Sequence, residues 1–142
     1  MNFSLEIGPH TDLDTLPSVK DIYITLLPGG DYKETAKKGG ELVKKGFNPV
    51  PHFPARSINN ENELKDYVSI CKDKGIKQAL VIGGSREPIG KFDSSFQILE
   101  TGFFDGLKIG IAGHPEGSPD ISDSNLEKAM IDKKPYADYI VT

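Results

Sequence analysis

A single cysteine, Cys71, is all the sulfur available for cross-linking, so no disulfide can form within the chain. That removes the usual staple of small secreted domains and places the protein in a reducing compartment, the cytoplasm. The opening residues Met1-Asn2-Phe3-Ser4 lack a basic segment followed by an apolar run, so no secretory signal is read there. No apolar stretch reaches the length needed to cross a bilayer, which argues against a membrane partner. Positive charge is also short: 17 Lys and Arg face 21 Asp and Glu, for a net −4. Such a chain does not bind nucleic acid by neutralising phosphates, although a small local patch could still hold one anionic ligand.

Several motifs are missing too. No G-x-G-x-x-G follows an apolar run, so a dinucleotide fold has no support of that kind. The stretch Gly84–Phe92 has five residues between its glycines and Phe92 where a P-loop needs Ser or Thr, so it is not a P-loop. Pro/Ser-rich linkers and low-complexity tracts are absent, and 142 residues suit one domain, 1–142. With 37% hydrophobic and 27% charged residues, that domain can bury a core.

What is present is an alternation of short apolar runs and amphipathic stretches. Strands are predicted at Phe3–Ile7, Ile22–Leu27, Asn48–Phe53, Gln78–Ile82, Lys108–Ala112 and Tyr139–Val141. Helices are predicted at Tyr32–Lys45, Asn59–Lys74, Asp93–Phe104 and Ser124–Lys133, with Gly46, Gly75 and Gly106 as stops. Segment His10–Asp21 reads as a loop with at most a short helix. The third strand interleaves Pro49, Pro51 and Pro54, which is unusual for a central strand. Cys71, in a helix with Val68 and Ile70, reads as a small buried hydrophobe rather than a reactive thiol.

This order implies parallel strands with right-handed crossovers, in either an open doubly wound sheet or a (β/α)8 barrel. A closed barrel takes about 250 residues, so the expectation is an incomplete one of about six strands. The pattern ends on a strand at Thr142, which suggests a chain cut within a longer enzyme.

In both architectures ligands meet the carboxyl ends of the strands. Polar residues gather there: Glu6 and His10, Thr25, His52 and Arg56, Gly83-Gly84-Ser85-Arg86-Glu87, and His114-Pro115-Glu116. Glu6 lies inside a strand and is either a general acid in a dry pocket or a solvent-facing residue on an edge strand. Gly83-Gly84 fits close backbone approach to a ligand, or an ordinary tight turn. His10, His52 and His114 follow alternate strands and could share a metal, as a hydrolase would use, but no H-x-H or H-E-x-x-H spacing supports this. An alternative without catalysis is a self-associating barrel fragment whose open strand edges pair between copies.

Six of these segments resemble, in order, methylenetetrahydrofolate reductase, the flavin-dependent (β/α)8 enzyme of one-carbon metabolism and methionine biosynthesis. They are Phe3-Ser4-Leu5-Glu6, Ile22-Tyr23-Ile24-Thr25, Pro51-His52-Phe53, Ile76–Gly84, Ile111–Asp120 and Ala137–Thr142. The resemblance implies a truncated, divergent oxidoreductase with FAD at the carboxyl face. Hydride from NAD(P)H would pass through FAD to 5,10-methylenetetrahydrofolate, giving 5-methyltetrahydrofolate. It implies Glu6 as the catalytic acid that protonates folate N10. It implies Thr25, His52, Gly83, Gly84, Ser85, Ser95, Ala112, His114 and Ser118 around the cofactor, with no metal. A homo-oligomer is expected. Ser85 stands where the family has Asp, Gly83 where it has Arg, His114 where it has Tyr and Ser118 where it has His. Loss of a carboxylate near the flavin implies an altered potential and weaker folate recognition. The family's folate-binding Gln would follow Thr142.

Overall fold

The computed structural model describes residues 4–15, 21–26, 29–83, 87–92, 94–112 and 139–141. The expected helix Ser124–Lys133 lies outside them. The strands are β1 (Ser4–Ile7), β2 (Asp21–Ile24), β3 (Asn48–Pro54), β4 (Gln78–Ile82), β5 (Lys108–Ala112) and β6 (Tyr139–Val141). All pair in parallel, in the sequential order β1-β2-β3-β4-β5-β6. The chain is therefore an α/β protein with a parallel sheet, and the order of the described strands never reverses.

The helices form where the sequence supplies caps. For α1 (Tyr32–Lys44), the Asp31 carboxylate accepts from Lys33 N–H at 2.9 Å, and Gly46 turns the chain away with φ 88°. For α2 (Glu61–Asp73), Asn60 Oδ1 accepts from Glu63 N–H at 2.9 Å, and Gly75 stops the helix with φ 83°. The third helix, α3, is shorter than its sequence suggests, covering only Ser95–Leu99 rather than running to Phe104. Thr101 Oγ1 donates to the Ile98 carbonyl at 2.7 Å and Gly102 takes φ 76°, so the chain turns out of the helix early.

The described part of the β1–β2 connection, up to Thr15, carries a 3₁₀ turn at Leu13–Thr15 and tracks α1 along its length. His10 meets Glu34, Lys38 Nζ donates to the Thr11 carbonyl, and Lys45 meets Asp14, in that order down the helix. These exposed ion pairs contribute little each. The order of contacts shows that the described part of the connection, up to Thr15, runs back beside α1.

One face of the sheet holds the core. Ile7, Ile22 and Ile24 pack on Leu42 of α1. Phe53, Ala79, Val81, Ile109 and Ile111 pack on Leu64, Tyr67, Val68 and Cys71 of α2 and on Ile98 and Leu99 of α3. Cys71 is fully buried there, and burial pushes its thiol up to about 12, as an inert core side chain requires.

The prolines of β3 have a simple accommodation. Pro49 and Pro51 share a parity, so the donors they lack face a single neighbour. Pairing to β2 covers Asn48–Pro51, whereas pairing to β4 runs from His52 to Pro54. The strand thus meets β4 only after the two prolines are past.

Beyond β4 the chain folds back on the start of α2. Gly83 C=O accepts from Arg56 N–H at 3.0 Å, Ile89 N–H donates to Arg56 C=O at 3.0 Å, and Lys91 N–H donates to Asn59 C=O at 2.9 Å. Gly90 lies so close to the Asn59 backbone that a β-carbon would overlap it. Gly90→Ala is expected to prise this loop away and lower stability by about 1–3 kcal/mol, read as a reduced urea midpoint. A midpoint unchanged from the parent would show that the contact is loose.

Candidate functional site

The sheet face opposite the helices is built by strand alternation. Phe53 is locked into the helix layer, stacked on Tyr67 at 4.0 Å and edge-on to Phe104 at 5.0 Å. Its neighbour His52 must therefore project to the other face. Tyr67 reaches under the strand, its hydroxyl donating to the His52 carbonyl at 2.8 Å. Burial holds the Tyr67 hydroxyl far above its ordinary value, so it remains a donor.

Register places the rest. Glu6 pairs with Tyr23, and Tyr23 with Val50, so all three share the face of His52. The Tyr23 and His52 rings lie 6.2 Å apart at 59°. Thr25 continues the alternation beyond β2. Its N–H donates to Ile7 C=O at 2.9 Å and its carbonyl accepts from Thr35 Oγ1 at 3.1 Å. Leu80 lies opposite His52 on β4, and Gly110 opposite Leu80 on β5.

His52 is the electrostatic centre of this face. The residue is 9% exposed, and Nε2 is the one buried side-chain polar atom among the described residues without a hydrogen-bond partner. Native structures leave few such atoms, and one on a face free of described helices is suited to a ligand. Burial lowers the imidazole pKa, and the Glu6 carboxylate opposes that shift without overcoming it. His52 is thus a neutral ring with Nε2 available.

The other expected residues fall as follows. Glu6 is exposed on β1, the outer strand of the described sheet, which matches the solvent-facing one of its two readings; no described element covers it. His10 is not directed toward His52 but pairs, at the surface, with Glu34 at 2.9 Å. Among the described residues, no group of three His, Cys, Asp or Glu is placed to hold a metal. Gly83 ends β4 beside Arg56, with no left-handed φ, and a β-carbon there would meet no described atom within 4 Å. A tight turn is therefore not what requires glycine at 83. Ser95 is buried in the first turn of α3. Ala112 ends β5, its backbone paired with Val141. Gly84, Ser85, His114 and Ser118 lie outside the described residues.

Sequence reasoning passed over Tyr23. Its signal was available: Tyr23 and Thr25 have the same parity in the run Ile22-Tyr23-Ile24-Thr25, so a ligand-facing Thr25 puts Tyr23 on the same face. A separate cleft of about 230 Å³ is lined by Glu61, Lys91, Phe92, Gln97, Glu100 and Thr101. It sits among α2, α3 and the loop between them, and no strand residue lines it.

No helix among the described residues is long and apolar enough to cross a membrane. Compared with profiles of known protein families, the chain matches none.

The depressed His52 pKa makes stability depend on pH. Below about 6.5 the unfolded imidazole takes a proton that the folded one resists, so this contribution is complete above that pH and is lost on acidification. Wild type is expected to lose more of its urea midpoint between about pH 7 and about pH 5 than His52→Gln does. In Glu6→Gln the opposing carboxylate is gone, so His52 should titrate at still lower pH by NMR. An upward shift would contradict the sign of the interaction.

Proposed function

We propose that this chain is a flavin-dependent oxidoreductase of the methylenetetrahydrofolate reductase type, acting in the cytoplasm, with FAD on the sheet face that the described helices leave open. The architecture proposed is an incomplete (β/α)8 barrel wall of six consecutive parallel strands with intervening helices. Sequential strand order supports it, because right-handed crossovers without a reversal keep the helices on one side. A doubly wound sheet would reverse its order and carry helices on both faces.

The observation that carries the reading is the unpartnered Nε2 of His52, on a face shared with Glu6, Tyr23 and Val50. A buried polar atom without a partner costs about 1–3 kcal/mol, and a heteroatom of a bound ring would recover that loss. Bound FAD would supply hydride transfer between NAD(P)H and 5,10-methylenetetrahydrofolate. His52 and Thr25 would hold the cofactor, and Gly83 would let it approach the backbone. Gly84, Ser85, Ser95, Ala112, His114 and Ser118 complete the set by resemblance. Glu6, exposed and on the same face, would hold the proton delivered to the folate nitrogen. Because Glu6 meets water in the chain alone, the bound ligands themselves would have to exclude it.

Titration of the purified protein with FAD, followed by flavin fluorescence, tests this. Saturable one-to-one binding is expected. Gly83→Ala should keep the parent's stability within about 0.5 kcal/mol, since its β-carbon meets no described atom within 4 Å. The same variant should bind FAD about tenfold more weakly. Absence of saturable FAD binding by the folded parent would reject the flavin assignment.

A further inference from the structure

The neutral His52 with a free Nε2 needs walls that keep water off it, and three side chains of its own face provide them. Val50, two residues earlier on β3, is fully buried, and Leu80, opposite on β4, is 6% exposed. Those two close the strand direction and the β4 side. On the β1 side lies the exposed Glu6, which admits solvent. Between Glu6 and His52 stands Tyr23, in register with Glu6 and tilted against the imidazole with ring centroids 6.2 Å apart. Its ring is the aromatic side chain on that side, with Thr25 beyond it on the same face.

We infer that Tyr23 is a positioning residue: its ring walls His52 off from water on the β1 side and thereby keeps Nε2 free for a polar atom of a ligand. The ring acts by bulk and apolar surface, with the hydroxyl secondary, because the contact to His52 is a ring contact. The ligand half of this statement rests on the flavin reading. The walling half does not.

The experiment is an NMR pH titration of His52 in the whole chain without ligand, in wild type, Tyr23→Phe and Tyr23→Ser. Glu6 is the charged group acting on His52 in all three. Tyr23→Phe should titrate as wild type does. Tyr23→Ser should move His52 upward, toward the ordinary imidazole value of about 6.5, as water reaches the ring. The surface ion pair of His10 with Glu34 serves as internal control and should not change. A folded Tyr23→Ser with the wild-type His52 titration would overturn the proposal, as would Tyr23→Phe shifting as far as Tyr23→Ser. Should Tyr23→Ser not fold, Tyr23→Val retains a strand-forming residue and is held to the same two outcomes. In a parallel FAD titration, Tyr23→Ser should weaken binding about tenfold and Tyr23→Phe by less than about threefold. If wild type binds no FAD, the flavin reading fails while the His52 titration still decides the role of Tyr23.

Discussion

The hydroxyl of Tyr67 on the His52 carbonyl, with Phe53 stacked on the Tyr67 ring, is the contact on which the arrangement turns. It ties the middle of α2 to the one strand whose prolines weaken its ladder. A strand that loses donors at Pro49 and Pro51 has less backbone pairing to define its register. The buried aromatic pair supplies that definition from the helix side. A slip of one residue would put His52 into the apolar layer and Phe53 on the open face, at a cost no nearby contact offsets. The position of His52 therefore follows from the packing of its neighbour.

From this constraint the two faces acquire different chemistry. The helix side is apolar and closed, with Cys71 and Tyr67 held in their neutral forms by burial. The open side carries a carboxylate, a phenol, a hydroxyl and an imidazole at the carboxyl ends of the first three strands. Burial of the imidazole and exposure of the carboxylate on one face give two titratable groups with opposite solvent access.

Much of this was legible in the sequence. β4, β5 and β6 have the bounds their apolar runs predict, because continuous Gln78–Ile82 and Lys108–Ala112 segments between glycines admit few alternatives. The stops of α1 and α2 were equally readable, since Gly46 and Gly75 act through local backbone chemistry. What escaped was tertiary. At the early end of α3, Thr101 folds back to the Ile98 carbonyl and Phe104 docks on Phe53. The tolerance of β3 for proline depends on which neighbour each donor faces. Exposure of Glu6 depends on what lies beside β1, and the pattern Leu5-Glu6-Ile7 reads the same on a covered or an open strand. Tyr23 was missed because residue type drew attention to Thr25, although alternation placed both on one face.

The central claim is that the sheet face opposite the described helices, centred on His52, receives the ligand. The direct measurement is the imidazole nitrogen NMR signal of His52 as FAD is added at constant pH. The account predicts that the Nε2 resonance of His52 shifts in step with FAD binding, while that of surface His10, paired with Glu34, does not. FAD binding that leaves the His52 signal unmoved would contradict it.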